Sequence, residues 1–75
     1  MPSDEYIAPA DLNHRGKWYV VTVGRRIGIW PEWLDMVGYI SEVPGSEHKS
    51  FKTRADADAH YRARRDAGVV RVVPW

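Results

Sequence analysis

Residues 18–33 constrain the fold of this chain more than any other stretch. Two short apolar runs, 18–23 and 27–30, flank Gly24-Arg25-Arg26. The first run is rich in β-branched and aromatic residues, which favour strands, and Gly24 permits the positive φ of a tight turn. Pro31 cannot donate a hydrogen bond to a sheet, so the second strand should end before it. The stretch therefore predicts a β-hairpin with a basic tip.

The first strand of this hairpin is apolar on both of its faces. Side chains alternate between the two faces of a strand, which separates Trp18, Val20 and Thr22 from Tyr19, Val21 and Val23. We therefore expect a central strand that has helices over one face, while its other face is partly exposed.

A short helix is predicted next, over residues 31–40. Proline is favoured at a first helical position, and Met36, Val37 and Ile40 form an apolar stripe at helical spacing. Residues 47–52 then predict a short third strand, with Phe51 facing inward.

A second helix is predicted from Thr53 to about Ala67. Thr53 and Asp56 have the spacing of a capping box, and Gly68 suits the position that follows a helix. Residues 69–73 predict a final short strand because they are mostly valine, and Pro74 stops it.

These elements predict an α+β fold in the order ββαβα(β). It consists of a small antiparallel sheet of three strands packed by two helices, with residues 69–73 as an optional fourth strand. A chain of 75 residues has room for one core. Residues 1–16 contain two prolines and show no periodicity, which predicts a flexible tail before a single domain at residues 17–73.

Several classes of function are disfavoured by the residues that could carry chemistry. The chain has no cysteine, which excludes disulfides, thiolate zinc sites and a cysteine nucleophile. The three histidines have no metal-ligand spacing, and the carboxylates do not form the cluster that a metal-dependent nuclease needs. We therefore predict a protein that is not an enzyme and that has no metal site and no cofactor.

Membrane insertion is also disfavoured, since the longest apolar runs are about six residues, too short to cross a bilayer. The acidic N-terminus lacks the apolar segment of a secretory signal. We expect no membrane contact and an intracellular location, in the nucleus or the cytoplasm.

The charge of the predicted domain permits a nucleic-acid partner. Residues 17–75 carry ten basic and seven acidic residues, whereas residues 1–16 carry three acidic residues and one arginine. Basic side chains give salt-dependent affinity for phosphates, and an exposed Trp33 would offer a flat surface to a sugar or a base. The candidate phosphate contacts are Arg25, Arg26, Lys49, Lys52 and Arg54.

Residues 17–61 have the spacing of a known family. The matching positions are Trp18-Tyr19-Val20-Val21, Gly24-Arg25, Gly28-Ile29-Trp30, Trp33, Lys49-Ser50-Phe51-Lys52-Thr53-Arg54 and Ala57. This pattern resembles the N-terminal hybrid-binding domain of eukaryotic ribonuclease H, which is also the viroplasmin domain of caulimoviruses. The end of the chain, from Tyr61 onwards, looks like the versions found in fungal proteins.

The resemblance implies a three-stranded antiparallel sheet with two helices, and binding of RNA/DNA hybrid or, more weakly, double-stranded RNA. It implies that the turn region and nearby backbone amides contact RNA 2′-hydroxyls in the minor groove, the groups that distinguish RNA from DNA. Trp33 and Lys49 match the residues that contact the DNA strand. Tyr19 and Arg25 match positions on the binding face.

The chain departs from the family pattern at four positions. His48 stands where the family has a second aromatic residue and Ser50 where it often has a second lysine, and both losses should weaken binding to the DNA strand. Glu32 stands where a helix begins with Ser or Thr, which places a carboxylate near a phosphate path, and Asp56 replaces the Glu of the Glu-Ala pair. The predicted nucleic-acid-binding residues are Tyr19, Arg25, Arg26, Trp33, Lys49, Ser50 and Lys52.

A second interpretation keeps the fold without the nucleic acid. In that case the domain would be a protein-interaction or self-association module. Residues 69–73 would then form a homodimer, because an exposed edge of valines can pair with another strand.

Overall fold

The structure, a computed structural model, describes residues 4–74. Within them the chain forms a mixed five-stranded sheet and two helices in the order βββαβαβ, so the predicted α+β class is confirmed. The strands are β1 (Glu5–Ile7), β2 (Trp18–Gly24), β3 (Ile27–Trp30), β4 (Glu47–Phe51) and β5 (Arg71–Val72). The helices are α1 (Trp33–Met36), which continues as a 3-10 turn (Val37–Tyr39), and α2 (Arg54–Asp66).

Strand β2 lies between β3 and β4 and is antiparallel to both. The predicted hairpin and the predicted three-stranded antiparallel unit are therefore confirmed. Tyr19 lies opposite Trp30 on one side and opposite Ser50 on the other. This register decides which side chains of β4 share a face with those of β2, because directly paired residues point to the same side of a sheet.

The two remaining strands, β1 and β5, add parallel pairs that we had not predicted. Strand β1 runs parallel to β3, and the short β5 runs parallel to the end of β2. The division into a tail at residues 1–16 and a domain at 17–73 stays a prediction, but residues 5–7 of that segment form a strand. Three residues are too few to show a period in sequence, which is why β1 was missed.

Gly28 allows β1 to lie this close to β3. Its φ is +141°, and a Cβ built there would lie 1.8 Å from the carbonyl oxygen of Tyr6. Our expectation for Gly24 was wrong, because Gly24 does not have a positive φ. Instead, a Cβ on Gly24 would lie 2.7 Å from the carbonyl oxygen of Tyr39, which accepts the Arg25 N–H.

Helices pack on both faces of the sheet, so the expectation of helices on one face alone was wrong, whereas the face that carries α1 is partly exposed, as expected. On one face α2 packs Ala57 and Tyr61 against a buried cluster of Ala8, Trp18, Val20 and Ile29. On the other face Met36 and Ile40 pack against Val21 and Trp30. The short first helix and the residues after it are enough to bury this second cluster. Trp18 and Trp30 are therefore core residues.

The helix boundaries follow their capping residues. Thr53 Oγ1 accepts a hydrogen bond from the Asp56 N–H at 3.1 Å, and Gly68 follows the second helix with φ +73°, as predicted. The first helix is shorter than the predicted 31–40. It begins after Glu32, whose side chain makes no capping hydrogen bond, and it tightens into the 3-10 turn around Gly38.

Polar contacts from α2 hold the N-terminal segment in place. The Tyr61 hydroxyl donates to Glu5 Oε2 at 2.5 Å, and Arg65 Nη1 lies 3.5 Å from the same oxygen. The Arg54 guanidinium donates to the carbonyl oxygen of Ala8 and lies 5.0 Å from the centre of the Trp18 ring. Burial, and then Glu5, raise the pKa of Tyr61 well above its usual range, so its hydroxyl remains a donor. Arg54 therefore has a structural role that its place among the candidate phosphate contacts did not suggest.

Candidate nucleic-acid interface

Three ring side chains form a cluster on the sheet face that carries α1. The rings of Tyr19 and Trp33 have centroids 5.6 Å apart and meet edge to face at 63°. The rings of Trp33 and His48 are 5.5 Å apart at 58°. Trp33 remains 39% exposed, so one part of the indole is supported by its neighbours while another part faces solvent. We call Tyr19, Trp33, His48 and the adjacent Ser50 the aromatic face.

The sheet register assembles this aromatic face. Ser50 pairs with Tyr19 and His48 pairs with Val21, so both side chains of β4 lie on the side of Tyr19. Pro31 ends the ladder after β3 and the chain turns into α1, whose first residue is Trp33. The indole is thereby brought over Tyr19, which pairs with Trp30 at the same end of the hairpin.

Lys49 lies on the opposite face of β4 from Trp33. It pairs with Val20, which is buried under α2. Its ammonium nitrogen lies 5.5 Å from the centre of the Phe51 ring, and Phe51 packs against that same buried cluster, in line with its predicted inward orientation. The structure therefore separates Lys49 from Trp33, two residues that sequence analysis had grouped in one site.

The remaining candidates lie at two other places on the surface. Arg25 and Arg26 form the tip between β2 and β3, as predicted, and Lys52 is exposed just after β4. The Arg26 guanidinium lies over two rings, 5.2 Å from the centre of Tyr6 and 5.8 Å from that of Tyr39. Arg26 is thus packed against the protein rather than extended from the tip.

His48 was named only as a departure from the family pattern, yet the structure places it in the aromatic face. The signal for this placement was available in the sequence. If Phe51 points inward, strand alternation puts Lys49 on the inward side, and His48 and Ser50 on the outward side. Roles taken from the resemblance are matched one position at a time, so they do not take into account which face of the strand each side chain occupies.

A cleft of about 460 Å³ lies on the other side of β4, facing α2. Its walls include Lys49 and Glu47 of β4 together with His60 and Arg64 of α2. Arg64 Nη2 lies 3.2 Å from Glu47 Oε2, an ion pair whose two side chains are 40% and 51% exposed. Burial lowers the pKa of His60 from its usual 6.5, and the charges of Lys49 and Arg64 lower it further.

The lowered pKa of His60 predicts a specific dependence of stability on pH. The unfolded chain takes up a proton near pH 6.5, whereas the folded chain does so at lower pH. The contribution of His60 is therefore fully present above pH 6.5 and is lost as the pH falls through the folded pKa. We expect the urea midpoint to fall more between pH 7.5 and pH 5.5 in the unsubstituted protein than in His60→Gln. Equal falls in the two proteins would contradict the assignment.

Two further observations limit the chemistry of the described residues. Among residues 4–74 no group of three or more His, Asp or Glu side chains is arranged to hold a metal ion. In the same range no helix is long and apolar enough to cross a membrane.

A comparison with known families identifies the family of this chain. The family model described as the ribonuclease H1 N-terminal domain matches residues 17–61, which is 45 of the 75 residues. The chain therefore belongs to the ribonuclease H1 N-terminal domain family, whose members are known as modules that bind RNA/DNA hybrids and double-stranded RNA and are typically not catalytic. No curated protein and no solved structure matches the chain significantly.

Proposed function

We propose that this domain binds RNA/DNA hybrids, and double-stranded RNA, through the aromatic face. The observation that carries the proposal is the exposed indole of Trp33, supported at 5.6 Å by Tyr19 and at 5.5 Å by His48 on the same side of the sheet. A supported aromatic plane can stack on a sugar or base without losing much side-chain freedom. Membership of a family known for hybrid binding supports the same assignment.

In this proposal each element contacts a different part of the duplex. Trp33 packs on the DNA strand, and the hydroxyl of Ser50 donates to a neighbouring phosphate. Arg25 at the hairpin tip adds a charged phosphate contact, since guanidinium groups suit phosphate geometry. Backbone amides of the turn regions contact the RNA 2′-hydroxyls. Proteins that bind RNA without sequence preference recognise RNA through these groups. The domain does no chemistry on the duplex.

The composition of the aromatic face also predicts a modest affinity for the DNA strand. Ser50 supplies a hydroxyl where many relatives supply a lysine, and each lost cation removes salt-dependent affinity. Glu32 lies directly before Trp33 and is exposed, so its carboxylate is close to the proposed path of the strand. We therefore expect only a small preference for hybrid over double-stranded RNA.

A competition titration tests this function. Hybrid, duplex RNA and duplex DNA of one sequence would be compared by fluorescence anisotropy at two salt concentrations. We expect hybrid and duplex RNA to bind more tightly than duplex DNA, and both affinities to fall steeply as salt rises. Absence of binding to all three duplexes at the lower salt concentration would overturn the proposal.

Self-association through residues 69–73 stays a prediction. Strand β5 is paired with β2 of its own chain, and the Val73 N–H donates to the Gly24 carbonyl oxygen at 2.8 Å. This pairing uses part of the backbone that a partner strand would need. Sedimentation of the unbound protein would measure its oligomeric state directly.

A further inference from the structure

The cleft between β4 and α2 has features of an anion site that the aromatic face does not explain. It lies on the opposite side of β4 from Trp33, and its floor includes Thr22, which is 2% exposed. Lys49 approaches it from the strand, while His60 and Arg64 approach it from the helix. With His48, which also lines the cleft, four residues with nitrogen-bearing side chains from two elements surround one concave surface.

The position of Lys49 is set by its neighbours rather than by chance. Its ammonium nitrogen lies over the Phe51 ring, and that ring lies 5.0 Å from the ring of His60. A cation held over an aromatic face keeps its charge and loses part of its hydration. Lys49 is thus placed beside His60 and at the seam between strand and helix.

The charges in the cleft do not cancel. Glu47 is the one carboxylate among the cleft residues, and it faces Arg64, so one carboxylate stands against the two cations Lys49 and Arg64. The ion pair of Glu47 and Arg64 is substantially exposed, so it is weak and can rearrange. A guanidinium has five N–H donors and can serve a second acceptor at the same time.

We propose that this cleft binds a phosphate group, with Lys49 and Arg64 as charged donors and His60 as a third donor. A phosphate group presents more than one acceptor oxygen, which suits donors that converge from two sides of a cleft. The group could be a backbone phosphate of a nucleic acid or free inorganic phosphate, since both are anions whose free oxygens accept charge-assisted hydrogen bonds. This site does not depend on hybrid binding by the aromatic face.

The proposal also specifies how affinity should change with pH. The charged or titratable groups that line the cleft with His60 are Glu47, His48 and Lys49 from β4 and Arg64 from its own helix, while β2 contributes the uncharged Thr22. Of these, Lys49 and Arg64 lower the pKa of His60. A bound phosphate would oppose the effect of Lys49 and Arg64 and raise the pKa of His60. By linkage, protonation of His60 should tighten the binding of a phosphate whose own charge stays constant over that pH range, such as a backbone phosphodiester.

The test titrates inorganic phosphate into the full chain. NMR signals of the His60 imidazole and of the Lys49 and Arg64 backbone amides report on binding. Chloride at matched ionic strength is the control for screening. We expect a saturable, phosphate-specific shift together with a higher His60 pKa. Lys49→Gln and Arg64→Gln should each weaken the affinity at least about fivefold, because each removes a charge-assisted hydrogen bond.

Matched substitutions separate this site from a general charge effect. Arg62→Gln removes the same charge from α2 at an exposed position outside the cleft, and Lys17→Gln does so just before β2. Both should leave the phosphate affinity within about twofold, the range usual for an exposed charge away from a site. Losses equal to those of Arg64→Gln and Lys49→Gln would overturn the proposal, as would a shift that chloride reproduces.

A second arm identifies the source of the phosphate. The hybrid duplex is added, and the His60 pKa is measured in the unsubstituted protein and in Lys49→Gln. A rise that Lys49→Gln abolishes supports a backbone phosphate in the cleft. Phosphate binding without any effect of the duplex supports free phosphate, and no response to either ligand overturns the site. Because the first arm uses no nucleic acid, it can succeed even if hybrid binding fails.

Discussion

Trp33→Ala should weaken hybrid binding by at least about tenfold, since stacking of one base on an aromatic ring contributes about 1–3 kcal/mol. The indole is 39% exposed and does not belong to either buried cluster, so its removal should leave the fold intact. Trp33→Phe should show a smaller loss because it keeps a ring against Tyr19. Anisotropy titration of labelled hybrid measures the affinity of the unsubstituted protein and of the two variants.

Leu34→Ala is the matched control for this prediction. Leu34 is the next residue of the same short helix and is 82% exposed, yet it makes no ring contact with Tyr19 or His48. Its truncation should change the affinity by less than about twofold, because an exposed side chain outside the contact contributes little. An unchanged affinity in Trp33→Ala, or an equal loss in Leu34→Ala, would contradict the assignment of the aromatic face.

Gly28→Ala should give the largest loss of stability of any single substitution considered, about 3 kcal/mol or more. The new methyl group would lie 1.8 Å from the Tyr6 carbonyl oxygen. The φ of this residue is +141°, a backbone conformation that residues with a side chain rarely adopt. The chain can escape the clash only by releasing β1 or by unfolding. Urea unfolding measures the loss of free energy.

Hydrogen exchange shows which of these two routes is taken. The amides of Ala8 and Ile27 donate to the Ile29 and Asp4 carbonyl oxygens, so they report directly on the docking of the N-terminal segment. Gly38→Ala is the control, since nothing lies within 4 Å of its Cβ and its φ is not positive. A similar, small effect of both substitutions would mean that β1 does not lie against Gly28.

The hairpin and its glycines show how far local pattern could predict this fold. Dense β-branched and aromatic residues predicted β2, and Pro31 predicted the end of β3, because both signals act within a few residues of the element they specify. Thr53 and Gly68 predicted the ends of α2 for the same reason. Tyr6 and Gly28 are 22 positions apart in the chain, so no local sequence pattern predicts their close approach.

The residues of the candidate site stay a prediction, and the structure shows which of them lie together. Tyr19 and Trp33 were grouped correctly in space, and Ser50 lies beside Tyr19. Lys49 was grouped with them although its pairing with Val20 places it on the far side of β4. Arg26 was taken as a phosphate contact, but its packing depends on Tyr6, a residue of the unpredicted strand β1. Both differences arise from contacts between strands rather than within one.

The sequence by itself determined the central hairpin, the caps of α2 and the family, because each depends on residue types at short spacings. The tertiary structure decided which side chains share a face. Cross-strand register placed His48 with Trp33 and placed Lys49 with His60 and Arg64, and register is a property of paired strands rather than of either strand alone. The docking of β1 and β5 was decided in the same way, since two or three residues acquire strand geometry only when a neighbouring strand supplies their hydrogen bonds.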